Sequence, residues 1–267
     1  MKLYTNVERV YNELAELGKV DSDPLTVSEL SALDQLHYHG TDALDTAIRL
    51  LGIHAGQEIL EIGSGIGGPA RYLAQRTEAR ITALELQADQ HEVALDLTRR
   101  CEISENIIHR RGNFLTQHWS GQCFDTIVSW LALYHIPERD YLLARCRDIL
   151  KPGGKFYTED LCSIGEFNRE ESDELERELY AITLPEMGQY RQDVTRAGFE
   201  IELFEDMTDD WAALTHQRLD AYRADRSRHV RVHGEATVDA LDLFYSTVDK
   251  YFQSGKLAGV RLCARRV

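Results

Sequence analysis

A short apolar strand, Glu58-Ile59-Leu60-Glu61-Ile62, runs straight into Gly63-Ser64-Gly65-Ile66-Gly67-Gly68 and then into a helical pattern through Tyr72 and Leu73. Glycines at such a turn let the backbone reverse sharply and let a ligand approach closer than a Cβ would permit. The pattern repeats downstream. Arg80 to Glu85 reads as a second strand before a helix around Gln90–Arg100, and Ile107–Arg111 as a third, ending in Gly112-Asn113-Phe114. Phe124 to Trp130 is a fourth, before a helix over Asp140–Leu150; Lys151-Pro152-Gly153-Gly154 turns the chain into a fifth strand, Lys155 to Thr158. Alternation through five units predicts an α/β fold, a Rossmann-like doubly wound and mostly parallel sheet covered on both faces.

The 267 residues suit one such core plus additional elements. We divide them into an N-terminal helical cap (1–52), the ligand-binding core (53–161), an inserted helical lid (162–190), and a remainder of the core with charged helices and a final edge strand (191–267). The cap reads as a helix from about Tyr4 with Val7, Val10, Tyr11, Leu14 and Leu17 on one face; a second helix follows a Thr26/Glu29 capping box. The lid carries the charged run EFNREESDELEREL (166–179), and Gly259–Ala264 reads as the final strand.

Forty-five acidic against 30 basic residues give a formal charge of −15, which argues against a nucleic-acid partner and against docking on anionic membranes. No apolar run reaches the ~18 residues of a spanning helix, and the start lacks an apolar signal core. Five scattered cysteines without a CxxC pair read as small buried hydrophobes in a reducing, cytoplasmic compartment. Monomer and homodimer stay open.

Four positions sharpen the ligand. Glu61, two residues before Gly63, would repel a pyrophosphate at that turn but suits a cationic ligand. Glu85, at the end of the second strand, is placed to accept hydrogen bonds from both hydroxyls of a ribose. Asn113 offers an amide to an adenine edge and Phe114 a ring face. With EIGSGIGG (61–68), Glu85, Gly112-Asn113-Phe114, FDTIVSW (124–130) and KPGG (151–154) in this order, the chain resembles the class I S-adenosylmethionine-dependent methyltransferases over roughly residues 35 to 205.

LHYHG (36–40), GIGGPARYLA (65–74), YTEDLC (157–162) and SGKLAGVRL (254–262) are further similar to the small-molecule branch of sarcosine/dimethylglycine and phosphoethanolamine N-methyltransferases. The resemblance implies S-adenosyl-L-methionine as cofactor, held by Tyr38, Glu61, Gly63, Gly65, Gly67, Glu85, Leu86, Asn113, Phe114 and Trp130, with His37-Tyr38-His39 closing near its methionine end. Trp130 is read equally well as core.

Methyl transfer is an in-line displacement at a sulfonium carbon, so much of its catalysis comes from holding nucleophile and methyl in line. The phosphobase enzymes carry an aspartate and, four residues on, a histidine after the fourth strand. Here His135 matches the histidine, whereas the aspartate position falls on Leu131, which favours a neutral acceptor. His135 is the candidate catalytic residue, or else it caps the helix after Pro137. His37, Tyr134, Asp160, Tyr180, Tyr190 and Arg191 are candidate acceptor contacts, with Tyr38, Tyr180 and Tyr190 as an aromatic wall for a methylated cation and Arg191 or Arg261 as a clamp on a carboxylate. Ordinary packing or surface charge is the competing reading for each.

No metal is expected: His37/His39 and His229/His233 lack a third ligand nearby in sequence. The expected function is methyl transfer from S-adenosylmethionine to a small polar metabolite, favoured at an amine nitrogen. The alternatives are S-methylation of a small thioether acid to a sulfonium product, a nicotinamide-dinucleotide oxidoreductase built on the same glycine turn, and a non-catalytic cofactor-binding protein.

Overall fold

The computed structural model describes residues 6–121 and 123–267; Tyr4, where the first helix was expected to begin, lies outside the described residues. Three helices come first: α1 (Arg9–Glu16), α2 (Val27–Ser31) and α3 (Gly40–Leu51). The Thr26/Glu29 capping box forms as expected, each side chain bonding the other's backbone N–H. The core then alternates β1 (Glu58–Ile62), α4 (Gly68–Thr77), β2 (Arg80–Glu85), α5 (Ala88–Arg100), β3 (Ile107–Arg111), β4 (Phe124–Trp130), α6 (Arg139–Ile149) and β5 (Leu150–Ser163). It continues through α7 (Arg169–Leu179), α8 (Met187–Arg196), β6 (Phe199–Asp206), α9 (Thr208–Ala224), α10 (Arg226–His233), α11 (Glu235–Gln253) and β7 (Leu257–Arg266).

Among the described residues, seven strands form one sheet in the order β3-β2-β1-β4-β5-β7-β6. The first five are parallel, and β7 runs antiparallel between β5 and β6. Strand order reverses beside β1, so β1 and β4 flank the switch point where open α/β sheets take ligands. Successive residues of β1 serve opposite faces. Ile59 packs with Leu44, Ala47, Leu73 and Ala74 of α3 and α4, whereas Leu60 packs with Leu142, Leu143 and Cys146 of α6.

One expectation needs correction. The final strand is not at the edge: β7 is paired on both sides, and most of its residues are buried, while β6, with its alternating exposed glutamates, is the edge. The charged helices after Asp209 are α9 and α10, separated at Asp225. Together with α11 these helices form a layer above the strand ends. Its apolar side gathers Trp211, Val248, Tyr251 and Phe252 with Leu175 and Leu179 of α7 and with Tyr38 and Tyr134.

Among the described residues, no helix is long and apolar enough to cross a membrane. The layer is anchored where α9 crosses β7. A Cβ built on Gly259 would lie 2.1 Å from Trp211 Cε3, so the indole occupies the space that any side chain there would need. We expect Gly259→Ala to lower unfolding stability by roughly 1–3 kcal/mol, as overpacking of a closed core does. Urea denaturation checks this; an unchanged midpoint would show that the indole is free to move aside.

Candidate functional site: a cavity at the switch point

The turn between β1 and α4 owes its shape to close approaches. Gly63 (φ 76°) has Ala132 against it, 2.3 Å from where a Cβ would lie, and its N–H and that of Ser64 donate to Leu84 O. At Gly68 a Cβ would fall 2.3 Å from the Asp34 carbonyl oxygen. Asp34 and Arg71 form a buried ion pair at 2.8 Å, and the same guanidinium donates to Ile66 O (2.8 Å) and to Thr98 Oγ1 (3.1 Å). The loop before α3 is thereby tied to the glycine turn and to α5.

Above the turn lies a cavity of about 710 Å³. Its wall includes Glu61, Gly63, Gly65, Glu85, Leu86, Asn113, Phe114 and Trp130 from the core, and His37 and Tyr38 from the loop before α3. Tyr134, His135 and Tyr180 contribute from the other side. Five candidates do not reach it. Gly67 (φ 82°) makes room for Arg71 and His109 rather than for a ligand. Asp160 and Tyr190 are buried behind Tyr134: Tyr190 OH donates to Asp160 (3.0 Å), Tyr134 N–H points at the same carboxylate, and the Arg139 guanidinium covers the Tyr190 ring at 3.6 Å. Arg191 is exposed on α8, over the Phe204 ring, and Arg261 is held by Glu159 and Glu205.

Burial governs the charges. Glu61 is 1% exposed, and burial, opposed by Arg71 and assisted by Glu85, pushes its pKa up to about 8. Its Oε2 has no hydrogen-bond partner, although it lines the cavity. Glu85 is raised mainly by burial and accepts from the Gly65 and Gln87 N–H groups, both at 2.8 Å, which fix its orientation at the end of β2. Asn113 is partly committed: its Oδ1 accepts from Leu115 N–H. His37 stacks on Trp130 with ring centroids 5.7 Å apart, and burial lowers its pKa to about 4.

His135 sits in a single helical turn, Leu133–His135, after β4. Its Nδ1 donates to Tyr180 O at 2.9 Å, which selects the neutral tautomer with the lone pair on Nε2. Burial brings its pKa down to about 4, so this neutral form persists through the physiological range. Leu131 N–H donates to Glu159 O, and Leu131 adopts φ 50°, a left-handed conformation that costs a non-glycine residue about 1 kcal/mol or more. The segment after α7 is stitched to this turn, since the Ile182 and Thr183 N–H groups both donate to Tyr134 O.

Sequence reasoning missed the wall supplied by α9 and α11. Thr215, Arg218, Tyr222, Phe244 and Tyr245 line the cavity, and the Arg218 guanidinium lies 5.2 Å from the Tyr38 ring centre. Their spacing is that of any amphipathic helix, so nothing in sequence marks them. Asp34 and Arg71 had a signal, since an aspartate in an otherwise aromatic loop and an arginine inside a buried helix face demand each other.

Residues 59–154 match the family model described as a methyltransferase domain. Phosphoethanolamine N-methyltransferase 1 of Arabidopsis thaliana is 25% identical over 191 residues, 72% of this chain and 38% of that protein. Over this segment the chain is similar to the class I S-adenosylmethionine-dependent methyltransferases. Sterol 24-C-methyltransferase of Debaryomyces hansenii is 26% identical over 59% of this chain and 43% of its own length, so the chain spans less than half of each of these two relatives. Among solved structures, phosphoethanolamine N-methyltransferase 2 of Haemonchus contortus, in complex with phosphomonomethylethanolamine and S-adenosylhomocysteine, superposes with a TM-score of 0.81 at 19% identity. That likeness covers 99% of this chain and 59% of the other and establishes the shared fold.

The residues present fit the family's cofactor. The unpartnered carboxyl oxygen of Glu61, on the cavity wall, can take a cation or a donor. Because Glu61 titrates higher folded than its ordinary 4.5, it favours the folded state below that value and loses this contribution as pH rises toward 8. A cation placed beside it reverses the preference and expels its proton. We therefore expect S-adenosylmethionine binding near pH 7 to release up to about one proton, read by titration calorimetry in buffers of different ionisation heat. Glu61→Gln should abolish that release and flatten the decline of stability between pH 5 and 8. Equal proton release in the variant would place the cation elsewhere.

Proposed function

We propose that the chain transfers a methyl group from S-adenosylmethionine to a small polar acceptor, with an amine nitrogen as the favoured site. Glu85 would hold the ribose hydroxyls, Glu61 and the Gly63–Gly65 backbone the amino-acid end, and Phe114 and Asn113 the adenine. When bound, the cofactor supplies a methyl group already activated on a sulfonium.

The single observation that carries the reading is His135: a buried, neutral imidazole, oriented by the Tyr180 carbonyl, on the wall of the same cavity as Glu61 and Glu85. An amine that has given up its charge needs a hydrogen-bond acceptor for its remaining proton, and Nε2 of this tautomer is one. Leu131 leaves no carboxylate at the position four residues earlier, so an ammonium finds no counter-ion there and a neutral amine is preferred. The rings of Tyr38, Trp130, Tyr134 and Tyr180 line the cavity and offer π faces to the cation that forms as the methyl arrives.

Release of S-adenosylhomocysteine from a panel of small amines, betaine precursors and thioethers tests the acceptor class. His135→Ala should lower turnover of a true amine acceptor by about 10²-fold or more, with cofactor affinity nearly unchanged. Turnover within a few-fold of the parent protein would favour a thioether acceptor, which has no proton to lose. Since burial holds the His135 pKa near 4, the amine reaction should show no histidine-dependent fall in kcat between pH 8 and 5.5.

A further inference from the structure

On the cavity wall, two parts of the chain far apart in sequence meet through ligand-type side chains: Glu13 of α1, and His229 and His233 of α10. One ligand atom from each lies within 4.8 Å of the other two. His229 and His233 are four residues apart and therefore share one helix face, with ring centroids 6.3 Å apart and planes inclined by 17°. The His233 side chain is 5% exposed; its Nε2 contacts Glu13 Oε1 at 2.8 Å, and its Nδ1 is buried without a partner. A neutral imidazole carries one lone pair that a metal ion can take, and a shift of the ring proton lets either nitrogen of His233 supply it.

We propose that Glu13, His229 and His233 form a binding site for a divalent transition-metal ion of the zinc type, joining α1 to the α9–α11 layer on the wall of the cavity. Two imidazoles and one carboxylate are a nitrogen-rich set, which selects zinc, cobalt or nickel over magnesium and calcium. Metal–nitrogen bonds of about 2.0–2.1 Å place tetrahedral ligand atoms about 3.3 Å apart, so side-chain rotation of an ångström or so closes the set. The surroundings favour that closure. Tyr222 stacks on His229 at 4.4 Å, and Arg228 bonds both Glu13 oxygens. A metal taking Oε1 leaves Oε2 to Arg228, which then orients the carboxylate as an outer partner. Three protein ligands leave a fourth position, and all three residues line the cavity. The site depends on none of the residues assigned to methyl transfer.

The test uses the full chain stripped with a chelator and titrated with cobalt(II) and zinc(II). One cobalt ion per chain is expected, with the visible absorption of a tetrahedral nitrogen/oxygen site and no thiolate charge-transfer band. His229→Gln and Glu13→Gln should each weaken binding on the order of 100-fold or more, and zinc should raise the melting temperature of the parent chain but not of either variant. Absence of saturable binding, a thiolate band pointing to cysteine, or variant affinities equal to the parent's would overturn the proposal. Should a variant fail to fold, the parent chain's cobalt spectrum decides alone, through the presence or absence of the nitrogen/oxygen signature.

Discussion

The buried pair between Asp34 and Arg71 is the contact on which the rest of the site depends. It joins a loop from the N-terminal cap to a helix of the core, and through Ile66 O and Thr98 it also fixes the glycine turn and α5. Desolvating two charges is expensive, and burial raises the Asp34 pKa against the opposing effect of Arg71. Removing either partner leaves the other charge stranded at a cost of about 3–5 kcal/mol. The pair therefore makes the turn and the loop carrying His37 and Tyr38 a single unit. The floor and one side of the cavity cannot move apart without breaking it.

Around that unit the cavity is arranged for positive charge. Two carboxyl groups, Glu61 and Glu85, are buried at its floor with raised pKa values, while two histidines on its walls, His37 and His135, are held neutral by the same burial. Neutral histidines above an acidic floor suit a chemistry in which a cationic donor meets a neutral nucleophile. The signs follow from desolvation. Acids shift up and bases shift down, so both move toward the uncharged state, and a cation arriving at Glu61 restores the charge only where it is needed.

How much of this could be read from sequence depended on whether the signal was local. The glycine turn, Glu85 at the end of a strand, and the five alternating units are each written within a dozen residues, and the parallel half of the sheet follows from them. The position of β7 is not local: its apolar run Leu257–Ala264 fits an interior strand as readily as an edge, and only pairing with both β5 and β6 decides. Asp160 was a candidate because it matches an acidic position of the phosphobase pattern after YTE, and Tyr190 as part of an aromatic wall for a methylated cation. In the fold they satisfy one another beneath Tyr134, a pairing of residues 30 positions apart that no spacing rule announces. The cap wall from α9 and α11 was hidden for the opposite reason, since its aromatic residues sit at ordinary helical spacing and their inner face is defined only by what they cover.

The claim that cap and turn act as one cofactor-holding unit is tested most directly by the affinity for S-adenosylhomocysteine across a double-mutant cycle of Asp34→Asn and Arg71→Gln. Each single substitution should weaken binding by about tenfold or more, and the double variant should lose little beyond either single one, because the first change already releases the loop from the turn. Folded single variants that bind the ligand as tightly as the parent chain would contradict the account.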